Sequence, residues 1–336
     1  MKPGYFDMRL KGRILVAIFL IFFAEWVSAS ENIWLSNTPP KKISKEILHG
    51  MHGVSLIKGK DGREKKILWL RSGSFPVEAR YVNCTNTRKP AIFVCSPDGK
   101  PIEGNVSPGQ WGYVLTFEGN LEGFYNVYLF EKFVEGGTLN IVVAKAEVLS
   151  HKCSNGHAGI RKKMPPKIFK DEICFEIVRK RISGEDFHTF LSSGDEVAFK
   201  VFLNGAPLKL ADIKFCTQKK WAKNLKTDIN GEAFLQLIGD YYPRWNKLNK
   251  RKIHNFLVTA EYTEKKSGSC KGIPYERIHY TGTLGGSYIP SETMYTSYLY
   301  GLFLLIFVMI VTAAFIYFHR ERRKKPYKEY VFSEKD

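Results

Sequence analysis

A mainly β protein, two antiparallel β-sandwiches followed by a single transmembrane helix, is predicted by three features of the chain. Short runs rich in Val, Ile, Phe, Tyr and Thr recur over residues 54–145 and 173–284, divided by Gly, Pro and Asn–Asp punctuation such as KGKDG, SPDGKP and EGNLEG. Strands of that length with turn signals between them are the signature of a sandwich. No helical period of useful length precedes residue 298. Residues 298–318, YLYGLFLLIFVMIVTAAFIYF, then hold 21 residues without a charge, a helix of roughly 31 Å against a hydrocarbon core of about 30 Å.

The chain opens with Lys2, Arg9, Lys11 and Arg13, an apolar run from Ile14 to Ala24, and the small residues Val27-Ser28-Ala29-Ser30. This is the pattern of a secretory leader over 1–30, with the mature chain expected to start near Glu31. After the span come Arg320, Arg322, Arg323, Lys324 and Lys325, a cluster of the kind that stays cytoplasmic, so 319–336 is expected as a cytoplasmic tail. The expected topology is single-pass in the cytoplasmic membrane, with the ectodomain in the periplasm or extracellular space.

Charge narrows the partners. Of 51 basic and 33 acidic residues, the leader and tail hold 11 and six, which leaves 40 against 27 in the exported part. A dispersed basic surface suits anionic neighbours such as lipid headgroups or surface polysaccharide, and export without a recognition motif argues against nucleic acid. All six cysteines, at 84, 95, 153, 174, 216 and 270, lie in the exported region, where disulfides are expected. YVNC and AIFVC read as strands around TNTRKP, which makes Cys84–Cys95 the pairing favoured locally.

In order, 31–45 reads as an irregular arm, with His49-Gly-Met-His52-Gly following. Strands are predicted at 54–57, 67–71, 77–84, 91–95, 111–118, 124–131 and 138–145, giving an N-terminal sandwich within 31–148. Residues 149–185 open with LSHKCSNGHAGIRKKMPPKIFKDE, which lacks apolar periodicity, and are taken as an inter-domain segment. ICFEIVRKR at its end starts a second β series. The second sandwich, 186–290, is expected to carry strands at 195–203, 212–217, 232–237, 255–262 and 277–284.

Within it, SGDEVAFKVFLNGAPLKLADIKF, KTDINGEAFLQL and FLVTAEY resemble the carboxypeptidase-regulatory or transthyretin-like β-sandwich. Gly205 and Pro207 form one tight turn there; Asp228, Asn230 and Gly231 form another, with Gly231 free to take positive φ. The longer arrangement is GFYNVYLF, HKCSNGH, FEIVRKR, SGDEV, TDINGEAF, DYYPRW, a Tyr-rich end and one C-terminal span. It resembles the exported, membrane-anchored accessory components of nickel or cobalt uptake systems, the NikK/NikM-like family, over roughly 120–318. The resemblance implies an Ig-like or transthyretin-like fold, a nickel or cobalt ion and transporter subunits as partners. The chain departs from many relatives in having no histidine close to the mature N-terminus, where it reads ENIWLSN.

One constellation suits metal chemistry: His151, Cys153 and His157, within a Gly-containing segment. Imidazole and thiolate suit Ni²⁺, Co²⁺, Cu and Zn²⁺, and three ligands leave a position open for hand-over. His49 and His52 with Met51 form a second candidate, and His254 or His279 a source of a fourth ligand. The rival reading has Cys153 in a disulfide and the histidines as ordinary loop residues. No G-x-S-x-G, H-E-x-x-H, Walker or haem motif occurs, so no enzyme is predicted. Asp228-x-Asn230-Gly231 lacks the later acidic ligand of a calcium loop and reads as a hairpin turn. Two function classes remain: a metal-binding accessory of a transition-metal importer, and a structural or adhesive envelope protein that scaffolds partners without metal.

Overall fold

The computed structural model describes residues 32–40, 48–49, 55–58, 64–82, 90–109, 112–151, 173–187, 189–240, 253–324 and 332–334. The first strands are β1 (Ile33–Ser36), β2 (Leu48–His49), β3 (Ser55–Lys58), β4 (Glu64–Ser72), β5 (Arg80–Tyr81), β6 (Ala91–Cys95), β7 (Pro101–Ile102), β8 (Gly104–Gly109) and β9 (Gly112–Glu118). A long hairpin follows, β10 (Gly123–Glu135) and β11 (Thr138–Ser150). Then come β12 (Phe175–Lys180), β13 (Glu196–Leu203), β14 (Ala206–Pro207), β15 (Asp212–Thr217), β16 (Ala222–Lys226) and β17 (Glu232–Gln236). The chain closes with β18 (His254–Glu264), β19 (Gly268–Cys270), β20 (Ile273–Tyr275), β21 (Arg277–Tyr288) and the helix α1 (Glu292–Arg323). The protein is mainly β, and its one described helix is apolar and C-terminal.

Three sheets stack as layers among the described residues. The middle one has eight strands in the order β16-β15-β18-β21-β11-β10-β6-β7. A seven-stranded sheet built on β4 covers one face, and a four-stranded sheet built on β13 covers the other. The middle strands read apolar almost throughout because both their faces are buried. β11 shows how. Leu139, Ile141 and Val143 join the core beneath the four-stranded sheet, with Phe175, Phe199 and Phe215. Ala144, Ala146 and Val148 join the core beneath the seven-stranded sheet, with Leu68, Leu115 and Phe117. Successive residues of a strand point to opposite faces, so one run serves both cores.

The ladders are antiparallel apart from β11–β21, which is parallel, with Thr138 opposite Arg277 and Ala146 opposite Gly285. That pairing carries the middle sheet from the first half of the chain into the second, across the stretch expected as a connector. A parallel partner needs a long crossover, and nearly 130 residues separate Ser150 from Arg277 here, beyond any local pattern. The expected strands at 91–95 and 212–217 coincide with β6 and β15. Others run longer: β10 reaches Glu135, β11 Ser150 and β21 Tyr288. Only Arg80–Tyr81 of the expected strand 77–84 is extended among its described residues. Cys84 lies outside the described residues, so the Cys84–Cys95 pairing does too. Cys174, Cys216 and Cys270 are thiols.

The arm predicted as irregular contains a strand. β1 pairs with β4, Ile33 opposite Ser72 and Ser36 opposite Trp69, and Trp34 and Leu35 are buried. It lies across the middle sheet, where Thr283 Oγ1 donates to Ile33 O at 2.7 Å. Gly285 makes room for it, since a Cβ there would stand 3.0 Å from Leu35 O. IWLS sits among Asn and Pro residues in ENIWLSNTPP, which read as loop punctuation, and both partners are distant in sequence.

The TDINGEAF turn forms as read. Asn230 N and Glu232 N both donate to Asp228 Oδ1 at 2.8 Å, which closes the turn. Gly231 has φ +73°, and a Cβ on it would meet two backbone atoms, Leu208 N at 2.9 Å and Val201 O at 3.0 Å. Gly231→Val is expected to destabilise the protein by about 1–3 kcal/mol, read as a lower urea midpoint at unchanged slope.

Candidate functional site

Two of the candidate histidines, His151 and His254, lie at one end of the middle sheet, the end from which α1 departs. β21 finishes there at Tyr288, its antiparallel neighbour β18 begins there at His254, and its parallel neighbour β11 finishes there at Ser150. His151 follows β11 directly. Its side chain is fully buried, its ring centroid lies 5.2 Å from that of Phe187, and its Nδ1 is 3.7 Å from Glu122 Oε1. An imidazole beside a carboxylate is two parts of a borderline-metal donor set. Cys153 and His157 lie outside the described residues, as do Met51 and His52; His49 is in β2. Among the described residues no three His, Cys, Asp or Glu side chains converge as a metal cage.

The two proposed fourth ligands part company. His279 stands opposite Asn140, eleven residues before His151, so the two are separated by about 36 Å along the sheet. No ion spans that distance, and His279 instead bonds Thr263 Oγ1 through Nδ1 at 2.8 Å. His254 is opposite Tyr288, at the same end as His151 and on the same face, two strand widths or roughly 10 Å across. It is buried, with its ring 6.2 Å from that of Tyr288. Only register, which is a long-range property, distinguishes the two histidines.

Phe187, which packs on the His151 ring, also lines a cavity of about 160 Å³ between β1, the end of β11, the start of β18 and the loop after β12. Trp34, Phe187 and Phe256 give it apolar walls, and Arg179, Arg181, Glu147 and Glu185 give it an ionic one. Arg179 grips Glu185 with both terminal nitrogens, Nη1 to Oε2 at 2.9 Å. Arg181 bridges Glu185 at 2.9 Å and Glu147 at 2.6 Å, and lies over the Phe124 ring at 3.9 Å. Burial alone would raise the Glu185 carboxyl, but the hydrogen bonds and charge of Arg179, with Arg181 behind, hold it below the usual range. Glu147 behaves alike: burial opposes ionisation, and Arg181, Lys145 and Arg179 outweigh it.

Deeper in the same face Lys145 is buried. Its Nζ donates to Glu176 Oε1 at 2.7 Å and to Ile177 O at 3.1 Å, and Tyr128 OH donates to Glu176 Oε1 at 2.6 Å. Burial, with Glu176 adjacent, pushes the Tyr128 phenol far up, so it remains a donor. Sequence reasoning passed over these groups. Their signal was legible: Lys145 and Glu147 interrupt the apolar run IVVAKAEV, and Glu176 and Arg179 interrupt ICFEIVRKR. A charge inside a doubly buried strand needs a partner, because burying an unpaired one is prohibitive.

No protein-family model matches the chain, and no curated protein matches it in sequence. Among solved structures it is similar to a "D0-D1 domain of Intimin", 13% identical over 66% of this chain and 89% of that one, TM-score 0.20. It is also similar to a "Biofilm associated protein - BSP domain", 8% identical over 65% of this chain and 27% of that one, TM-score 0.16. At TM-scores this low neither likeness bears on function.

Lys145→Ala is expected to cost about 3–5 kcal/mol in urea unfolding, because Glu176 is left charged and buried; Lys145→Met with Glu176→Leu should recover most of that loss. The Glu185 carboxyl, depressed in the folded state, contributes stability that is present above the unfolded value of about 4.3 and lost as pH falls through the folded one. Thermal unfolding between pH 7 and 3 should show that acid decline, and Glu185→Gln should flatten it.

Proposed function

We propose that this chain is a membrane-anchored, extracytoplasmic accessory protein of a transition-metal uptake system. It holds an ion on His151, Cys153 and His157 and presents it to transporter subunits in the same membrane. Nickel or cobalt is the cargo favoured, with copper and zinc as the alternatives the donors also accept. In this reading it catalyses no reaction. α1 is the anchor: its stretch Leu299–Arg323 is long and apolar enough to cross a membrane, and none of its apolar window is buried within the protein. The support is positional. His151, with Glu122 beside it, stands at the end of the middle sheet that passes into α1, so a cargo held there faces the membrane that a transporter occupies.

Binding requires neutral imidazole and thiolate, so affinity should fall as pH drops through the histidine range near 6.5. The test is titration of Ni²⁺, Co²⁺, Cu and Zn²⁺ into the reduced full chain in detergent, and into His157→Ala and the His151→Ala, His157→Ala pair. Roughly tenfold weaker binding or more is expected for His157→Ala, which leaves the buried His151 packing intact. Equal affinity in all three proteins overturns the metal site and leaves the scaffolding role.

A further inference from the structure

The β body and α1 are joined without slack. Ile289 N donates to Leu191 O at 2.8 Å, Ser193 N donates to Ile289 O at 2.9 Å, and Ser291 N donates to Ser193 Oγ at 2.8 Å. Pro290 between them is buried, and Ser291 is already the N-cap of α1. From Ser291 to the start of the apolar stretch at Leu299 is eight helical residues, about 12 Å. The headgroup layer on each side of the hydrocarbon is roughly 5–8 Å deep. When α1 spans a bilayer, the end of the middle sheet therefore stands roughly 4–7 Å beyond the headgroup layer, a gap that long side chains can reach across.

At that level, two strands from β21, lies the turn between β15 and β16. Thr217 is opposite Phe256, and Phe256 is opposite Gly286. The segment Thr217–Thr227 carries Lys219, Lys220, Lys223 and Lys226 and no acidic residue. Lys219 is exposed, Lys220 reaches Glu78, and Trp221 is partly buried edge-on to Phe215 at 6.3 Å. Asn255 N donates to Gln218 Oε1 at 3.0 Å, which ties the turn to the start of β18, where Ile253 is 44% exposed.

We propose that this corner, Lys219, Lys220, Trp221 and Ile253, rests on anionic lipid headgroups of the leaflet that α1 enters. Lysine ammonium groups on long stems reach lipid phosphates, within the roughly 8 Å over which exposed charges act at physiological salt. An indole ring and an exposed isoleucine beside them match the interface between headgroup and acyl chain. A second foothold stops the body from pivoting about Ser291 and holds the His151 end toward the membrane. The proposal rests on α1 being a bilayer span.

The full chain is reconstituted into nanodiscs of phosphatidylcholine alone, or of phosphatidylcholine with phosphatidylglycerol. Exposed lysines are then acylated briefly and quantified by mass spectrometry. Labelling of Lys219 and Lys220 is expected to be at least about threefold lower in the anionic discs, a difference that high salt removes. Lys271, in the β19–β20 turn at the opposite end of the sheet, should label equally in both. The Lys219→Glu, Lys223→Glu variant should lose the difference at Lys220. Equal labelling of Lys219 in the two discs, or a fall shared by Lys271, overturns the proposal. A chain that fails to co-purify with discs of either composition overturns the spanning reading instead.

Discussion

The parallel ladder between β11 and β21 is the constraint on which the rest of the molecule depends. It joins the strands of the first half to those of the second in one eight-stranded sheet. Both cores are then built on that sheet, one on each face. Burial of a Val, Leu or Ile side chain contributes about 1.5–3 kcal/mol, and a strand such as β11 collects that contribution on both faces. The cost is that any charge in such a strand is trapped. Lys145 and Glu147 are in that position, and the Glu176, Arg179, Arg181 and Glu185 network answers them from the neighbouring layer.

The same ladder sets which groups share one end of the sheet. Because β11 and β21 run in the same direction, the segment that begins at His151 and the helix that begins at Glu292 leave the sheet from the same end. An antiparallel pairing would have put them at opposite ends. The cavity that Phe187 lines lies at that end, and so does the basic turn of β15 and β16. The buried Pro290, flanked by hydrogen bonds on both sides, joins that end of the sheet directly to α1.

Much of this was legible in local pattern. AIFVC and DIKFCT appear as strands to the residue, the Asp228–Gly231 turn closes with the hydrogen bonds its residue types favour, and the charge-free run near the C-terminus forms a helix. β8 and β16 were missed: GNVSPG is poor in strand formers, and AKNLK is an exposed edge whose lysines hide the alternation. β1 was missed because the Asn and Pro residues around IWLS read as loop punctuation.

The sequence by itself determined that the chain is mainly β, where most of its strands and tight turns fall, and that one helix is apolar enough to span a bilayer. These are consequences of side-chain period, turn chemistry and length, each contained in a window of a dozen residues or so. Tertiary structure alone decided that the two β series share a sheet, that His254 and not His279 stands near His151, and that Lys145 and Glu176 meet. Those outcomes depend on strand partners and register over separations of 31 residues, for Lys145 and Glu176, to 139, for Thr138 and Arg277. A window of local pattern holds no information about which distant strand will supply the other half of the pair.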